Sequence, residues 1–395
     1  MSWQKVTIAS VCEGIYDGPH ATPAPSESGA IFLGIHNFVN GRLDLSNVKY
    51  ISFDDLPKWT RRVTPQENDI VFSYEATLNL YAIIPPDFLG CLGRRMALIR
   101  VNPQKIYYKF LYYYFFSPEW RALIAEKTIL GATVDRIPLT TFPQFLISLP
   151  PRATQHRIAD ILSAYDDLIE NNQKQIQLLE EAAQRLYKEW FVDLRFPGHE
   201  NTRIVDGVPE GWEVCTIDDI SSLRKTAIKA PNIPPGIPYI GLEHIPRKDF
   251  CLSSWGDSSD VSSTKYQYKE NDILFGKIRP YFHKVGFSIN NGVTSTDTLV
   301  MTAKKDSLWP ILLLSVFSKD FVNYSYQNCK EGSKMPRADW NIMKSYKVLN
   351  PEKNILKKFN NNIFSITKKI KILAHQNNII SETRNMLLPK LMKKI

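Results

Sequence analysis

The chain has 395 residues, of which 44% are hydrophobic and 23% are charged, and its net charge is +9. This length exceeds one ordinary domain and suits two domains with connecting helices. The apolar runs are too short for a membrane span, and the N-terminus lacks the apolar region of a secretion signal. The five cysteines form no CxxC pair, so the composition predicts a cytoplasmic protein without disulfides or a metal site.

The first 150 residues return as a second copy in residues 212–351. The segment ENDIVFS at 67–73 returns as ENDILFG at 270–276, and GAIFLGIHNF at 29–38 returns as GIPYIGLEHI at 236–245. Likewise WQKVTI, which begins at Trp3, returns as WEVCTI at Trp212, and GATVDRI at 131–137 returns as GSKMPRA at 332–338. The offset falls from 209 to 201, so only small loop differences separate the copies. We therefore expect two similar, mixed α/β domains related by an approximate twofold axis.

The sequence predicts five segments. Residues 1–150 form the first domain, with β-rich stretches such as DIVFSY, a helix around 104–116 and a second helix after Pro118. Residues 151–194 form a long central helix, and 195–211 are a linker rich in Pro, Gly and Asp. The second domain follows at 212–351, and a C-terminal helix occupies 352–395. Pro389 should end or bend this last helix near Leu388, because proline cannot donate a backbone hydrogen bond.

Each long helix carries a seam whose members are spaced alternately by four and three residues, as in a coiled coil. The members are Ile158, Leu162, Tyr165, Ile169, Asn172, Ile176, Leu179, Ala183, Leu186 and Trp190 in the central helix, and Phe359, Ile363, Ile366, Ile370, Leu373, Asn377, Ile380, Arg384, Leu387 and Leu391 in the C-terminal helix. One such seam would suit a helix packed on its own domain, but two matching seams favour pairing of the helices. Opposite charge also favours pairing, because residues 152–194 carry net −3 and residues 352–395 carry net +8.

Twofold-related domains predict that the helices pair antiparallel, so that the numbers of facing residues have a constant sum. Asn172 and Asn377 face each other when that sum is 549. A lone buried asparagine destabilises a seam, whereas two facing asparagines can bond each other and fix the register. The same register stacks the remaining seam residues, among them Ile169 on Ile380 and Leu179 on Ile370.

The segment GATVDRIPLTTFP lies near the end of the first domain, and the central segment that follows begins PPRATQHRIADILSAYDDLIENN. With two domains that are each followed by a long helix, these segments resemble the specificity subunit of type I restriction–modification enzymes, GATVDRIPLTTFP matching that family's first half and the central segment its middle. Its second half is resembled by VPEGWEVCTIDDI, NDILFGKIRPYFHKVG, EGSKMPRADW and RNMLLPKLM. The resemblance covers essentially the whole chain. It implies two target recognition domains, each reading one half of a bipartite double-stranded DNA target, joined by two long antiparallel helices that form a coiled coil.

The resemblance also implies partners. The helices would set the spacer between the half-sites and dock methyltransferase subunits, two in number, and restriction subunits with helicase and nuclease activity would join them. S-adenosylmethionine, ATP and Mg²⁺ are then expected on those partners. The chain has no GxxxxGK[ST] phosphate loop, its double prolines lack the context of a methyltransferase loop, and its seven histidines lack ligand spacing. We therefore expect no catalytic residue, no bound metal and no membrane partner.

Candidate DNA-contacting residues are polar or basic side chains that follow probable strands in each copy. They are Tyr74, Arg94, Arg95, Thr133 and Arg136 in the first copy, and Lys277, Arg279, Tyr281, His283, Lys284, Lys334 and Arg337 in the second. Arginine can bind guanine bidentately, whereas lysine and tyrosine more often contact phosphates. Solvated basic loops would give the same pattern. Arg136 and Arg337 also share one repeat position, so a common structural task is an alternative for both.

Two other functions fit this organisation. A non-catalytic, two-headed scaffold would bind protein or RNA and use the coiled coil as a spacer. A fused enzyme would carry an active site that no motif reveals. A specificity subunit predicts DNA methylation only when a methyltransferase subunit is present, whereas the scaffold predicts none and the enzyme predicts activity from the chain alone.

Overall fold

The computed structural model describes residues 3–131, 134–329 and 335–393. The chain divides into two compact units, one formed by Met1–Asp167 with Ser381–Ile395 and the other by Leu168–Ile380. The division passes through both long helices, so each unit contains one α/β domain and a stretch of each helix.

The α/β domain of the first unit is built around an antiparallel sheet of order β2-β10-β7-β8 and a smaller mixed sheet of order β6-β3-β9. Its strands are β1 (Gln4–Thr7), β2 (Cys12–Asp17), β3 (Ala30–Leu33), β4 (Phe38–Val39), β5 (Arg42–Leu43), β6 (Lys49–Ile51), β7 (Ile70–Ser73), β8 (Tyr81–Ile83), β9 (Gly90–Leu92), β10 (Met96–Val101) and β11 (Leu146–Leu149). Its helices are α1 (Ile8–Val11), α2 (Leu56–Trp59), α3 (Tyr108–Tyr114) and α4 (Pro118–Lys127), and the long helix α5 (Arg152–Tyr187) follows, with a π-helical turn at Lys188–Val192.

The second unit has sheets of order β15-β24-β21-β22-β18 and β16-β20-β23-β17-β19. Its strands are β12 (Ile204–Val205), β13 (Val208–Pro209), β14 (Glu213–Thr216), β15 (Ser221–Leu223), β16 (Ala227–Ile228), β17 (Pro238–Ile240), β18 (Cys251–Leu252), β19 (Gly256–Asp257), β20 (Lys265–Tyr268), β21 (Ile273–Gly276), β22 (Val285–Ser288), β23 (Gly292–Thr294), β24 (Thr298–Ala303) and β25 (Lys347–Asn350). Its helices are α6 (Ile217–Ile220), α7 (Trp309–Phe317), α8 (Lys319–Gln327), α9 (Trp340–Met343) and the long helix α10 (Lys353–Leu391).

The sequence repeat is a repeat of strand pairings, which confirms the expected class of two mixed α/β domains. β10 pairs antiparallel with β7 as β24 pairs with β21, and β1 pairs with β11 as β14 pairs with β25. The less common parallel pairing also recurs, since β3 pairs with β9 as β17 pairs with β23. Both copies place a glycine before the first strand of this parallel pair. Gly29 and Gly236 have φ angles of +135° and +79°, which other residues rarely adopt, so the repeated glycine fixes where the strand begins.

Helices α3 and α4 cover the sheet of the first domain. The helix predicted around 104–116 is shorter than expected, because Lys105 N donates to Asn102 O in a turn and the Tyr107 N–H is taken by Gln155 Oε1 at 2.8 Å. Helix α4 begins at Pro118 as predicted. Ser117 caps it by accepting a hydrogen bond from Trp120 N at 3.2 Å, which satisfies one of the free N–H groups at a helix start.

In the second unit, α5 and α10 run antiparallel along their seams. Asn172 Nδ2 donates to Asn377 Oδ1 at 2.9 Å, and the rings of Trp190 and Phe359 lie 5.6 Å apart. Both pairs have the sum 549 that the heptad register predicts. Both asparagines are buried, and Asn377 Nδ2 also donates to Ile169 O at 3.4 Å. Along the same seam Ile370 is buried, while Leu179 and Ile380 are half-buried.

In the first unit, the C-terminal end of α10 packs on the start of α5 and on the domain core. Leu388 and Met392 belong to the same buried cluster as Ile158 and Leu162. The expectation that Pro389 ends or bends the helix near Leu388 is wrong as to the end, because α10 continues to Leu391. The missing proline N–H falls in the last turn, where the helix has few further hydrogen bonds to lose.

Candidate nucleic-acid interface

In the first domain, the segment that follows β7 is joined by backbone hydrogen bonds to a segment 60 residues further on. Ile137 N donates to Tyr74 O at 2.7 Å, and Ala76 N donates to Asp135 O at 2.9 Å, so that Glu75 and Arg136 form an isolated β-bridge. Two loops that are distant in sequence therefore present their side chains together.

The second domain repeats this bridge residue for residue. Ala338 N donates to Lys277 O at 2.9 Å, Arg279 N donates to Pro336 O at 2.8 Å, and Ile278 pairs with Arg337. The structural task shared by Arg136 and Arg337 is thus performed by the backbone. Both arginine side chains are exposed, which leaves them placed for contact with a ligand.

The other candidates of the first domain differ in exposure. Arg94 is exposed, whereas Arg95 is half-buried with φ +71° and its Nε lies 4.0 Å from Glu75 Oε1. Tyr74 is buried, and burial together with the negative charge of Asp17 raises the pKa of its hydroxyl to about 12. Thr133 lies outside the described residues.

In the second domain, Lys277, Arg279 and Tyr281 line the loop after β21. Burial lowers the pKa of the half-buried Lys277 ammonium, and nearby Arg337 acts in the same direction, against Asp297. Arg279 adopts φ +51° and its Cζ lies 5.9 Å from the ring centre of Phe282. Tyr281 is 46% exposed, which suits stacking or phosphate contact.

Two further candidates of this loop are turned inward. His283 is buried with its ring 4.7 Å from that of Phe317, and burial lowers the pKa of its imidazole. The Lys284 ammonium donates to the backbone carbonyl of Leu242. In this structure both side chains take part in packing, and DNA contact remains a prediction for them. Lys334 lies outside the described residues.

Several candidate residues hold buried polar atoms that lack a hydrogen-bond partner among the described residues. These atoms are Tyr74 Oη, Arg95 Nε, Arg279 Nε and His283 Nε2, and the same holds for Thr298, Asn350 and Asn360. Leaving a buried polar group unsatisfied costs about 1–3 kcal/mol, so each such atom calls for an explanation. Tyr74 and Arg279 lie in the bridged segments of the two domains, where a bound ligand can supply the missing partner.

A cleft of about 760 Å³ opens beside the bridge of the second domain. Besides Lys277 and Arg337, its walls include Lys225, Asn328 and Trp340. Lys225 was not among the candidates because it comes from a segment distant in sequence from both loops. Trp340 stands three residues after Arg337, but it is neither basic nor polar, which the candidates were. A basic wall with an aromatic ring and an amide can contact phosphates, a base face and a base edge.

Each domain also contains a buried carboxylate–arginine pair that supports its central sheet. Asp69 accepts from Arg100 Nη2 at 2.7 Å, and Asp272 accepts from Arg224 Nε at 2.7 Å. The carboxylate is the repeated Asp of the ENDI segment, whereas the arginine comes from different neighbouring strands. The sequence repeat therefore identifies the aspartate of each pair but not the arginine. These arginines are structural, and hydrogen bonding to the carboxylate raises the pKa of both.

Comparison with known proteins gives a consistent result. The model of the type I restriction modification DNA specificity domain matches residues 2–181 and again residues 209–382. The type I restriction enzyme MjaIX specificity subunit of Methanocaldococcus jannaschii is 27% identical over 299 residues, which cover 71% of this chain and 67% of that protein. The HindI specificity subunit of Haemophilus influenzae is 21% identical over 436 residues, which cover 92% of this chain and 93% of that protein.

The fold has a solved counterpart. The crystal structure of a type I restriction-modification S subunit from M. genitalium superposes with a TM-score of 0.58 at 15% identity, covering 100% of this chain and 97% of that one. Within the part of the chain that the structure describes, none of the helices combines the length and apolar character needed to cross a membrane. With a domain match in each half, the chain belongs to the type I restriction–modification DNA specificity family and carries two target recognition domains.

Proposed function

We propose that this chain reads DNA sequence for a type I restriction–modification system, with each α/β domain recognising one half of a bipartite double-stranded target. The observation that carries the proposal is the duplicated bridge. It presents an exposed arginine, Arg136 or Arg337, at the same backbone position of each domain. An arginine fork suits the O6 and N7 acceptors of guanine in the major groove. Because the side chains around the two arginines differ, the two half-sites should differ in sequence.

The chain is proposed to be non-catalytic and to act with methyltransferase and restriction subunits. The support is its family membership, because the relatives that match are named as specificity subunits. S-adenosylmethionine, ATP and Mg²⁺ would bind to those other subunits, and two methyltransferase copies would suit a chain with two domains.

The long helices are proposed to set the spacer between half-sites and to dock the methyltransferase subunits. Helices α5 and α10 contain 36 and 39 residues, so each is more than 50 Å long at about 1.5 Å per residue. One turn of duplex is about 34 Å, so rods of this length can hold two readers a turn or more apart. The asparagine pair fixes the register of the rods, and a fixed register gives a fixed spacer.

The test is to express the chain with the methyltransferase subunit encoded beside it and to map every methylated base in the host genome. The proposal expects a split motif with a constant gap. Arg136→Ala should relax only one half of the motif and Arg337→Ala only the other. Arg121→Ala, which removes an exposed arginine on α4, is the matched control and should leave the motif unchanged. Methylation by the chain alone, or its absence with every methyltransferase subunit tried, would refute the proposal.

A further inference from the structure

The exposed arginine of the second domain is held by a carboxylate. Arg337 Nη2 donates to Asp297 Oδ1 at 2.9 Å, while 59% of the arginine side chain stays exposed at the cleft. A single contact of this kind uses one of the five N–H groups of the guanidinium, so a two-pronged edge remains available for a ligand.

Asp297 is itself fixed at both its backbone groups. Its carbonyl accepts from Lys277 N at 2.8 Å, and its N–H donates to Ser295 Oγ at 3.1 Å. Arg337 is equally constrained, because Pro336 O and Ala338 N on either side of it are bonded to the loop after β21. The backbones of Asp297 and Arg337 are therefore both bonded to the loop after β21, and the direction of the guanidinium is set before any ligand binds.

The first domain arranges the same chemistry differently. Tyr74 N donates to Arg95 O as Lys277 N donates to Asp297 O, so Arg95 occupies the position of Asp297. The nearby acid in the first domain is Glu75, which lies 4.0 Å from Arg95 Nε and occupies the position of Ile278. The position of Asp297 is thus occupied by an arginine in the first copy, so this arrangement of carboxylate and arginine belongs to the second domain.

We propose that Asp297 is a positioning residue that orients the Arg337 guanidinium for bidentate readout of one guanine in the half-site of the second domain. The inference rests on the proposed function and adds the base that is read and the residue that sets its specificity. An ion pair this exposed contributes little to folding, so its role would lie in restricting the arginine rather than in stabilising the domain. A restricted fork loses less rotamer entropy on binding and discriminates better against other bases.

The test compares variants of the full chain in complex with the methyltransferase subunit, on duplexes that carry each of the four base pairs at each half-site position. Methylation rate and duplex binding are both measured. The wild-type complex should prefer G·C at one position of the second half by about 5- to 150-fold, the range of a good bidentate contact. Arg337→Ala and Arg337→Lys should both abolish that preference. Asp297→Asn should reduce it about fivefold or more at the same position only, and Asp297→Glu should restore part of it.

A matched control is Asp193→Asn. Asp193 pairs with Arg195 at 3.0 Å outside the cleft, and the side-chain exposures of 25% and 61% resemble the 30% and 59% of the Asp297 pair. Asp193 also binds the Lys188 ammonium at 2.6 Å, so this variant loses at least as much charge pairing as Asp297→Asn does. This variant should behave as wild type. Unchanged base preference in Asp297→Asn would overturn the inference, and so would a uniform change on all duplexes, since that would mean a purely structural or electrostatic role. If the wild-type complex shows no split motif at all, the proposed function fails instead.

Discussion

Replacing one member of the buried asparagine pair should destabilise the chain far more than replacing both. In Asn172→Leu, the Asn377 side chain keeps its 3.4 Å contact with Ile169 O but loses the 2.9 Å bond on its carbonyl oxygen. Leaving that buried acceptor unsatisfied costs about 1–3 kcal/mol. The double variant with Asn377→Leu removes both polar groups and places two leucines in an apolar seam, where the net change should be near zero or stabilising.

The assay is calorimetric and chemical unfolding of the purified chain, as a double-mutant cycle. For a unit of about 200 residues, 1 kcal/mol shifts Tm by roughly 2–4 °C, so each single variant should lose about 2–12 °C while the double variant stays near wild type. Because each single variant costs about 1–3 kcal/mol and the double variant costs about zero, the coupling energy should be about 2–6 kcal/mol in magnitude. Asn171→Leu is the matched control, because Asn171 is the exposed neighbour of Asn172 on the same helix.

Additive changes in the free energy of unfolding would refute the hydrogen bond between the two asparagines. If the double variant lost as much stability as the sum of the single variants, the asparagines would not share a bond. If neither single variant changed stability, the amides would be hydrated rather than buried in the seam.

Three further predictions concern the same helices. Glu180 is buried with Oε1 accepting from Phe250 N and Cys251 N, and burial followed by the charge of Asp249 raises the pKa of its carboxyl to about 8. The folded state then holds a proton that the unfolded state releases near pH 4.5, so stability is lost as the pH rises and Tm should fall between about pH 5 and 8. The fall should be smaller in Glu180→Gln, and equal pH profiles of Tm for the two proteins would contradict this. Arg384→Met removes the cation that pairs with Asp166, whose carboxylate also accepts from Tyr113 Oη at 2.6 Å. The variant should lose about 2–4 kcal/mol of unfolding free energy, and adding Asp166→Asn should restore most of it. A fall in Tm of less than 2 °C would contradict this prediction. Deleting the facing heptads 165–171 and 378–384 leaves every other facing pair with the original sum of 549 and shortens each helix by about 10 Å. The deletion should alter the spacer or abolish methylation, and altered half-site bases would count against the spacer role.

The sequence predicted the features that depend on local pattern or on repetition. The seams, their register and the start of α4 at Pro118 follow from spacing and capping, which the chain encodes locally. The duplicated bridge was foreseeable as two equivalent positions, Arg136 and Arg337, although not as a backbone contact. The length of α3 was overestimated because Gln155, far along the chain, takes the N–H at which the helix would otherwise begin earlier.

The site was less predictable because it depends on direction and on distant partners. His283 was expected in the interface as part of a basic run. In the structure its φ is +54° and its ring packs against Phe317, and no local pattern predicts such a backbone conformation for a residue other than glycine. Asp297 was missed for a different reason. It is an acid in a site sought through basic residues, and only the fold brings it within 2.9 Å of Arg337.

If two separate domains each read their own half of one DNA target, exchanging one domain should change one half of the motif. Residues 1–150 can be replaced with the corresponding domain of a relative of different specificity, and methylated bases mapped with the same methyltransferase subunit present. One half of the motif should change while the other half and the gap stay constant. A motif that changes in both halves, or in neither, would contradict this expectation.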